Sequence, residues 1–169
     1  MHAYILWIAT LAYALHVVEE LVFDWRTWAS CVLKLPVSWA LFATVNGVVV
    51  VLGIACSQVG WRCPSFALSL PALMFINGTF FHVLPWILTR GRFSPGLGTA
   101  VLTFYPVAAW AYLGARADGV LSLEVFLLSL MFGAVLMASP IVMLKLSRHR
   151  YFVQRDTFAS PSSEGTQPT

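Results

Sequence analysis

The chain has 169 residues, of which 59% are hydrophobic and only 10% are charged, with a net charge of +3. Because a soluble domain typically carries about 25% charged residues, this composition excludes an ordinary water-soluble fold and indicates a lipid bilayer as the solvent. The length suits a single domain, and we expect no nucleic-acid partner.

Five segments are apolar enough, and close enough to the roughly 20 residues that a bilayer requires, to be membrane spans. They cover residues 3–23, 37–56, 65–89, 97–115 and 121–144. The connecting stretches, such as "SQVGWRCP" and "RGRFSPG", contain the Gly, Pro and charged residues that interrupt helices. The sequence therefore predicts an all-α, polytopic membrane bundle over residues 1–150. The polar, Ser- and Pro-rich residues 151–169 are expected to form a disordered tail.

Basic residues are concentrated at one end of the predicted bundle. The connections on one side contain only Arg62 and Arg116. The other side contains Arg26, Lys34, Arg90, Arg92, Lys145, Arg148, Arg150 and Arg155. Because cytoplasmic loops carry the excess of Lys and Arg, this asymmetry predicts an N-terminus outside and a C-terminus in the cytoplasm.

The first span contains three titratable residues in the stretch "HVVEE". His16, Glu19 and Glu20 are spaced i, i+3 and i+4, so at about 100° per residue they lie on one helix face. Each such residue costs at least about 2.5–3.5 kcal/mol at the centre of a bilayer. Their shared face is therefore expected to point into the bundle or a wet cavity rather than at lipid.

A second intramembrane histidine, His82, lies in the third predicted span. The first and third spans run in the same direction, and at about 1.5 Å rise per residue His16 and His82 reach the same depth, roughly 10 Å from the cytoplasmic boundary. Two imidazoles and a carboxylate form the ligand set of a mononuclear transition-metal site. The sequence thus predicts a metal site of His16, Glu19, Glu20 and His82, with a helix–helix tie between His and Glu as the alternative.

Other polar residues within the spans are candidates for hydrogen bonds to the metal ligands. They are Asn46, Asn77, Thr79 and Tyr105.

The "FSPG" stretch at residues 93–96 joins the third and fourth predicted spans. Because Pro fixes φ and Gly permits a left-handed turn, we interpret this stretch as a tight interhelical turn. The alternative is that it forms the mouth of the site above His82.

The sequence resembles the HXXEE-domain family of small bacterial integral membrane proteins. The family's motifs are a histidine followed two residues later by a Glu-Glu pair, a second histidine, and YxPG. Here they are matched by His16-Val-Val-Glu19-Glu20, by His82 and by the "FSPG" stretch, in which Phe93 replaces tyrosine, and the resemblance covers roughly residues 10 to 110. It implies a shared intramembrane site in the plasma (inner) membrane, and if relatives use the tyrosine hydroxyl, Tyr105 is the candidate replacement here.

The main functional hypothesis is a membrane-embedded oxidoreductase acting on a lipophilic or amphipathic small molecule. His16, Glu19, Glu20 and His82 would bind a divalent transition metal, with iron preferred because this ligand set leaves positions for oxygen and substrate. Glu19, Glu20 and Tyr105 are the candidate catalytic residues. One alternative is a metal-independent isomerase or cyclase of a terpenoid-like substrate, with Glu19 or Glu20 as a general acid. Another is a protein that binds or transports protons or cations.

Overall fold

The computed structural model describes residues 1–147, and this part of the chain contains helices and turns but no strand. The predicted all-α fold is therefore confirmed for these residues. The tail predicted for residues 151–169 lies outside the described residues.

Of the long helical stretches, two are broken into shorter α-helical and π-helical pieces, and they cover Pro64–Leu88 and Leu97–Ala117. The α-helices are α1 (Ile5–Val22), α2 (Trp25–Trp28), α3 (Trp39–Val59), α4 (Pro64–Ala67), α5 (Ser69–Asn77), α6 (Leu84–Leu88), α7 (Leu97–Thr99), α8 (Tyr105–Ala117) and α9 (Leu123–Ser147). The π-helical segments are Ala29–Leu33, Gly78–Val83 and Ala100–Phe104, and Gly60–Arg62 forms a 3₁₀ turn.

Five helical stretches are long and apolar enough to cross a membrane, as the sequence predicts. They are Ile5–Val22, Trp39–Arg62, Pro64–Leu88, Leu97–Ala117 and Leu123–Leu146, and we call them the first to fifth spans. The limits of these spans differ from the predicted ones by up to six residues, as at the end of the second span. The chain is an integral membrane protein.

The third span is the centre of the bundle. Its apolar window is 61% buried, against 11% for the fifth span, which packs mainly on α5. α5 also contacts α1, α3 and α8. The approach of α9 to α5 is close at Gly133, where an added Cβ would lie 2.8 Å from the Leu73 backbone nitrogen. Small residues of this kind allow helices in a membrane to pack backbone against backbone.

Two spans change their helical register just before a proline. The π-helical segments of the third and fourth spans are followed at once by α6 and α8, which carry Pro85 and Pro106 in their first turns. Proline has no N–H to donate and its ring displaces the carbonyl four residues earlier, and a π-helical turn accommodates that mismatch. Pro85 consequently cannot donate to the Phe81 carbonyl, which is used elsewhere, as described below.

The end of the bundle that carries Asp118 is fastened by a cluster of hydrogen bonds. Asp118 accepts from the backbone amide of His2, lies 2.9 Å from His2 Nδ1, and accepts from Trp61 Nε1 at 2.7 Å. Donation by the His2 amide, by the His2 ring and by the Trp61 indole lowers the pKa of Asp118 to about 2. The carboxylate thus joins the N-terminus, the end of the second span and the end of the fourth.

Candidate metal centre

The two intramembrane histidines lie next to each other inside the bundle. His16 is on α1 and His82 is in the π-helical segment of the third span, and both are almost completely buried, at 1% and 0% exposure. Their rings meet edge to face, with centroids 4.7 Å apart. The ring of Phe104, from the fourth span, packs on His16 at 4.2 Å. Three spans therefore contribute to the immediate surroundings of His16.

Glu20 connects the two imidazoles. It lies one helical turn after His16 on α1 and is 5% exposed. Its Oε1 atom is 3.5 Å from His16 Nε2 and also 3.5 Å from His82 Nε2. One ligand atom from each of these three residues lies within 4.8 Å of the other two. The structure thus brings together three of the four residues that the sequence suggests as metal ligands.

The hydrogen bonds around His16 determine which ring nitrogen carries its proton. The Thr99 hydroxyl donates to Glu19 Oε2 at 2.6 Å, and His16 Nδ1 lies 2.8 Å from the same hydroxyl oxygen. A carboxylate accepts only, and a hydroxyl has a single proton to donate. The contact with His16 must therefore be a donation from Nδ1–H to Thr99, which leaves the lone pair of the neutral ring on Nε2.

His82 is arranged in the same way by Ser94. Its Nδ1 lies 3.2 Å from Ser94 Oγ, and this hydroxyl donates to the Phe81 carbonyl at 3.3 Å. That carbonyl is available because Pro85 has no N–H to donate to it. When the Ser94 proton points at the Phe81 carbonyl, His82 Nδ1–H donates to Ser94, and the lone pair again lies on Nε2. Binding of a metal through one ring nitrogen while the other donates to the protein is the usual arrangement of histidine ligands.

In this arrangement of protons, three hydrogen-bond acceptors face one another with no donor between them. Both Nε2 atoms are buried without a hydrogen-bond partner. Their 3.5 Å separations from Glu20 Oε1 exceed the about 2.7–2.9 Å of a charge-assisted hydrogen bond. Two ligand atoms at about 2.1 Å from one metal ion, at a tetrahedral angle, would lie about 3.4 Å apart. The three ligand residues, and the distances from Glu20 Oε1 to the two Nε2 atoms, therefore fit a divalent metal.

Glu19, the other carboxylate of the motif, points at the loop before the fourth span. It accepts from the backbone amides of Gly96 at 3.2 Å, Gly98 at 3.1 Å and Thr99 at 2.7 Å, besides the Thr99 hydroxyl. These amides lie where the fourth span begins, and free N–H groups at the start of a helix favour a carboxylate there. Glu19 is thus fully engaged with the loop and is not part of the three-residue group around Glu20.

The loop at residues 93–96 covers both histidines and is more than an interhelical turn. Gly96 has φ +94, and an added Cβ would lie 2.6 Å from His82 Cε1 and 2.7 Å from His16 Cε1. Only glycine fits this conformation at this distance. Phe93, which stands in the tyrosine position of YxPG, packs on Phe23 with ring centroids 5.6 Å apart.

The remaining polar residues suggested by the sequence lie in two other places. The Tyr105 hydroxyl is 3.0 Å from Thr79 Oγ1, and neither residue belongs to the group around Glu20. Asn46 and Asn77 line a pocket that also reaches Glu20. The residues that orient the histidines, Ser94 and Thr99, were missed because both belong to the interhelical loop or its end. Their position within three residues of the "PG" pair was the signal available.

A pocket adjoins the histidines on the side of Glu20. It is lined by residues of the first, second, third and fifth spans and by part of the connection between the first two. Its cavity volume is about 80 Å³, which is small beside the about 300–1,000 Å³ typical of small-molecule sites. Glu20 belongs both to this lining and to the three-residue group. A molecule in the pocket would therefore lie against the candidate metal centre.

Fold and site together define a class: a polytopic membrane protein with a buried His–Glu–His group beside an apolar pocket. The chain belongs to the HXXEE family, since residues 7–111 match the profile described as "Protein of unknown function with HXXEE motif". The match includes both histidines, both glutamates and the loop that covers them. Neither a curated protein nor a solved structure shows a significant match to the chain.

Proposed function

We propose that the protein is a membrane-embedded, metal-dependent oxidoreductase that acts on a lipophilic small molecule. One observation carries the proposal: two imidazole Nε2 atoms without a hydrogen-bond partner and a carboxylate oxygen lie within 4.8 Å of one another in a buried space. A buried arrangement of acceptors is unfavourable unless a cation occupies it. The ligands would be His16, Glu20 and His82.

The choice of oxidation and of iron rests on the number and type of these ligands. Two histidines and one carboxylate are the set of non-haem iron oxygenases. When bound, the metal supplies a redox-active centre with open coordination positions, and dioxygen is the co-reactant we assign. The same residue types also bind zinc in some hydrolases, so the identity of the metal decides between redox and hydrolytic chemistry.

The side chains and the loop around such a metal have separate roles. Thr99 and Ser94 hold the imidazoles in the tautomer that offers Nε2. Glu19 and the glycines of the loop close the site from one side, and the apolar pocket keeps bulk water away from the other. Glu20 lies between the imidazoles and the pocket, where it can bind the metal and contact the substrate.

For the orientation, we infer that the metal centre lies near the cytoplasmic face of a bacterial plasma membrane. The connections at this end of the bundle contain four basic residues, Arg26, Lys34, Arg90 and Arg92, whereas the Asp118 end has only Arg62 and Arg116, at the ends of the second and fourth spans. The positive-inside rule supports this assignment. A cysteine placed at residue 91 should react with membrane-impermeant maleimide only after the cells are opened.

Metal content tests the proposal directly. Protein purified with a tag that contains no histidine should carry about one metal ion per chain by inductively coupled plasma mass spectrometry, and His82→Ala and Glu20→Gln should each retain less than about a tenth of it. Glu124→Gln is the control, because the same substitution at an exposed residue in the first turn of α9 touches neither the metal ligands nor the loop and should keep the metal. Metal-free wild-type protein with full activity would refute the proposal, and zinc in place of iron would refute the oxidation.

A metal-independent isomerase or cyclase is the second candidate, and the position of Glu20 supports it. A carboxyl group that is buried, flanked by two histidines and exposed to an apolar pocket has the surroundings of a general acid. Activity towards a terpenoid-like substrate that survives complete chelation and disappears in Glu20→Gln would favour this candidate over the metal enzyme.

A further inference from the structure

A buried, unpaired amide oxygen belongs to Asn77, a residue that lines the same pocket as Glu20. Asn77 is 8% exposed and lines the pocket, and its Oδ1 atom has no hydrogen-bond partner. The Asn77 amide nitrogen lies 3.6 Å from the sulfur of Met137. Because a thioether accepts hydrogen bonds but cannot donate them, the amide group is oriented with its nitrogen at the sulfur. The oxygen is therefore left as an acceptor without a donor.

The other asparagine of the pocket is already satisfied. Asn46 Oδ1 accepts the Tyr13 hydroxyl at 2.7 Å, and its amide nitrogen donates to the Phe42 carbonyl at 3.0 Å. A buried acceptor without a partner costs about 1–3 kcal/mol, and most native side chains avoid this cost. The contrast between the two asparagines makes Asn77 Oδ1 the acceptor in this pocket lining that still needs a donor.

The rest of the lining restricts the chemistry of that molecule. Among the described residues that line the pocket, Glu20 is the only charged one, and none is Lys or Arg. A phosphate, diphosphate or carboxylate group would have no cation to pair with there. The walls are apolar, formed by side chains such as Leu41, Val45, Phe81 and Ile141. The ligand should therefore carry no negative charge and be largely apolar, with a hydrogen-bond donor.

We propose that the pocket binds a lipophilic alcohol, with its hydroxyl donating to Asn77 Oδ1 and its hydrocarbon lying along the apolar walls. A lipophilic alcohol would be the substrate class of the proposed enzyme, and this role as a substrate rests on the proposed function. Binding itself requires no metal, because none of the contacts invoked here involves the imidazoles.

A competition series tests this assignment in the full-length chain in phosphatidylcholine nanodiscs. A long-chain alcohol carrying a diazirine is cross-linked to the protein, and 1-dodecanol, dodecyl methyl ether and dodecyl phosphate compete with it. We expect the alcohol to compete about ten times more strongly than the ether, which lacks the donor. Dodecyl phosphate should not protect at concentrations at which the alcohol does. Equal protection by the ether, or stronger protection by the phosphate, would overturn the proposal.

Variants locate the hydroxyl within the pocket. Asn77→Leu should lose about ten-fold in affinity for the alcohol and no longer distinguish it from the ether. Asn46→Leu is the matched control, because the same change is made in the same pocket at an amide that already has partners, and it should keep the preference. If Asn77→Leu does not fold, the competition series on the wild-type chain decides alone. Persistence of the preference in folded Asn77→Leu would contradict the assignment.

The outcome is separable from that of the metal experiment. The competition is carried out on chelator-washed protein, so an alcohol preference in a chain that never binds metal would retain the pocket assignment and refute the metalloenzyme. Conversely, stoichiometric metal together with equal protection by alcohol and ether would retain the metal site and refute the alcohol.

Discussion

Replacing Gly96 by alanine tests whether the loop at residues 93–96 sets the positions of the two histidines. The new Cβ would lie 2.6 Å from His82 Cε1 and 2.7 Å from His16 Cε1. Carbon atoms in contact prefer about 3.5–4.0 Å, so each ring, or the loop, must retreat by about 1 Å. Metal sites tolerate changes in ligand distance of only about 0.2 Å. We therefore expect Gly96→Ala to abolish metal binding.

The substitution also places an L-residue at a positive φ, and this second effect needs its own control. Gly119 has φ +71, but an added Cβ there would have nothing within 4 Å. Gly119→Ala thus introduces a backbone strain of about 1–2 kcal/mol without a collision. Both variants should lose thermal stability in detergent, whereas only Gly96→Ala should lose its metal as measured by mass spectrometry. Equal metal contents in the two variants would refute the view that the loop and the imidazoles are in tight contact.

Two further predictions concern hydrogen bonds of the site and of the opposite end. Thr99→Val removes the acceptor for His16 Nδ1–H and should weaken metal affinity by about 10–100-fold in chelator competition, while Thr103→Val, which loses only a bond to a helix carbonyl, should leave it within about two-fold. Wild-type protein should melt at a higher temperature than Asp118→Asn at neutral pH. Because the pKa of Asp118 is lowered from 3.8 to about 2, its stabilising effect is present above about pH 4 and is lost as the pH falls towards 2. A difference in melting temperature that stays constant over this range would contradict the second prediction.

The fold and the meeting of the histidines could be predicted because both follow from helix geometry. Hydropathy locates spans, and a fixed rise per residue places His16 and His82 at one depth. The separate roles of Glu19 and Glu20 could not be derived, since adjacent helical residues differ by only about 100° and either one can face a neighbour. The position of the loop before the fourth span determines which of the two glutamates contacts the histidines. Glycine conformation and backbone hydrogen bonds determine that loop, and neither has a periodic signature in the sequence.

The two glutamates of the motif are connected by a chain of contacts through Thr99 and His16. Glu19 binds the loop amides and the Thr99 hydroxyl, Thr99 accepts from His16, and His16 offers Nε2 next to Glu20. Closing the loop and fixing the tautomer of a metal ligand are therefore one event, because the same hydroxyl takes part in both. A chain with the loop displaced would keep Glu20 but lose the orientation of His16. The "EE" motif and the distant "SPG" loop therefore depend on each other, because Glu19 holds the loop in place and the loop is followed by Thr99, which orients His16.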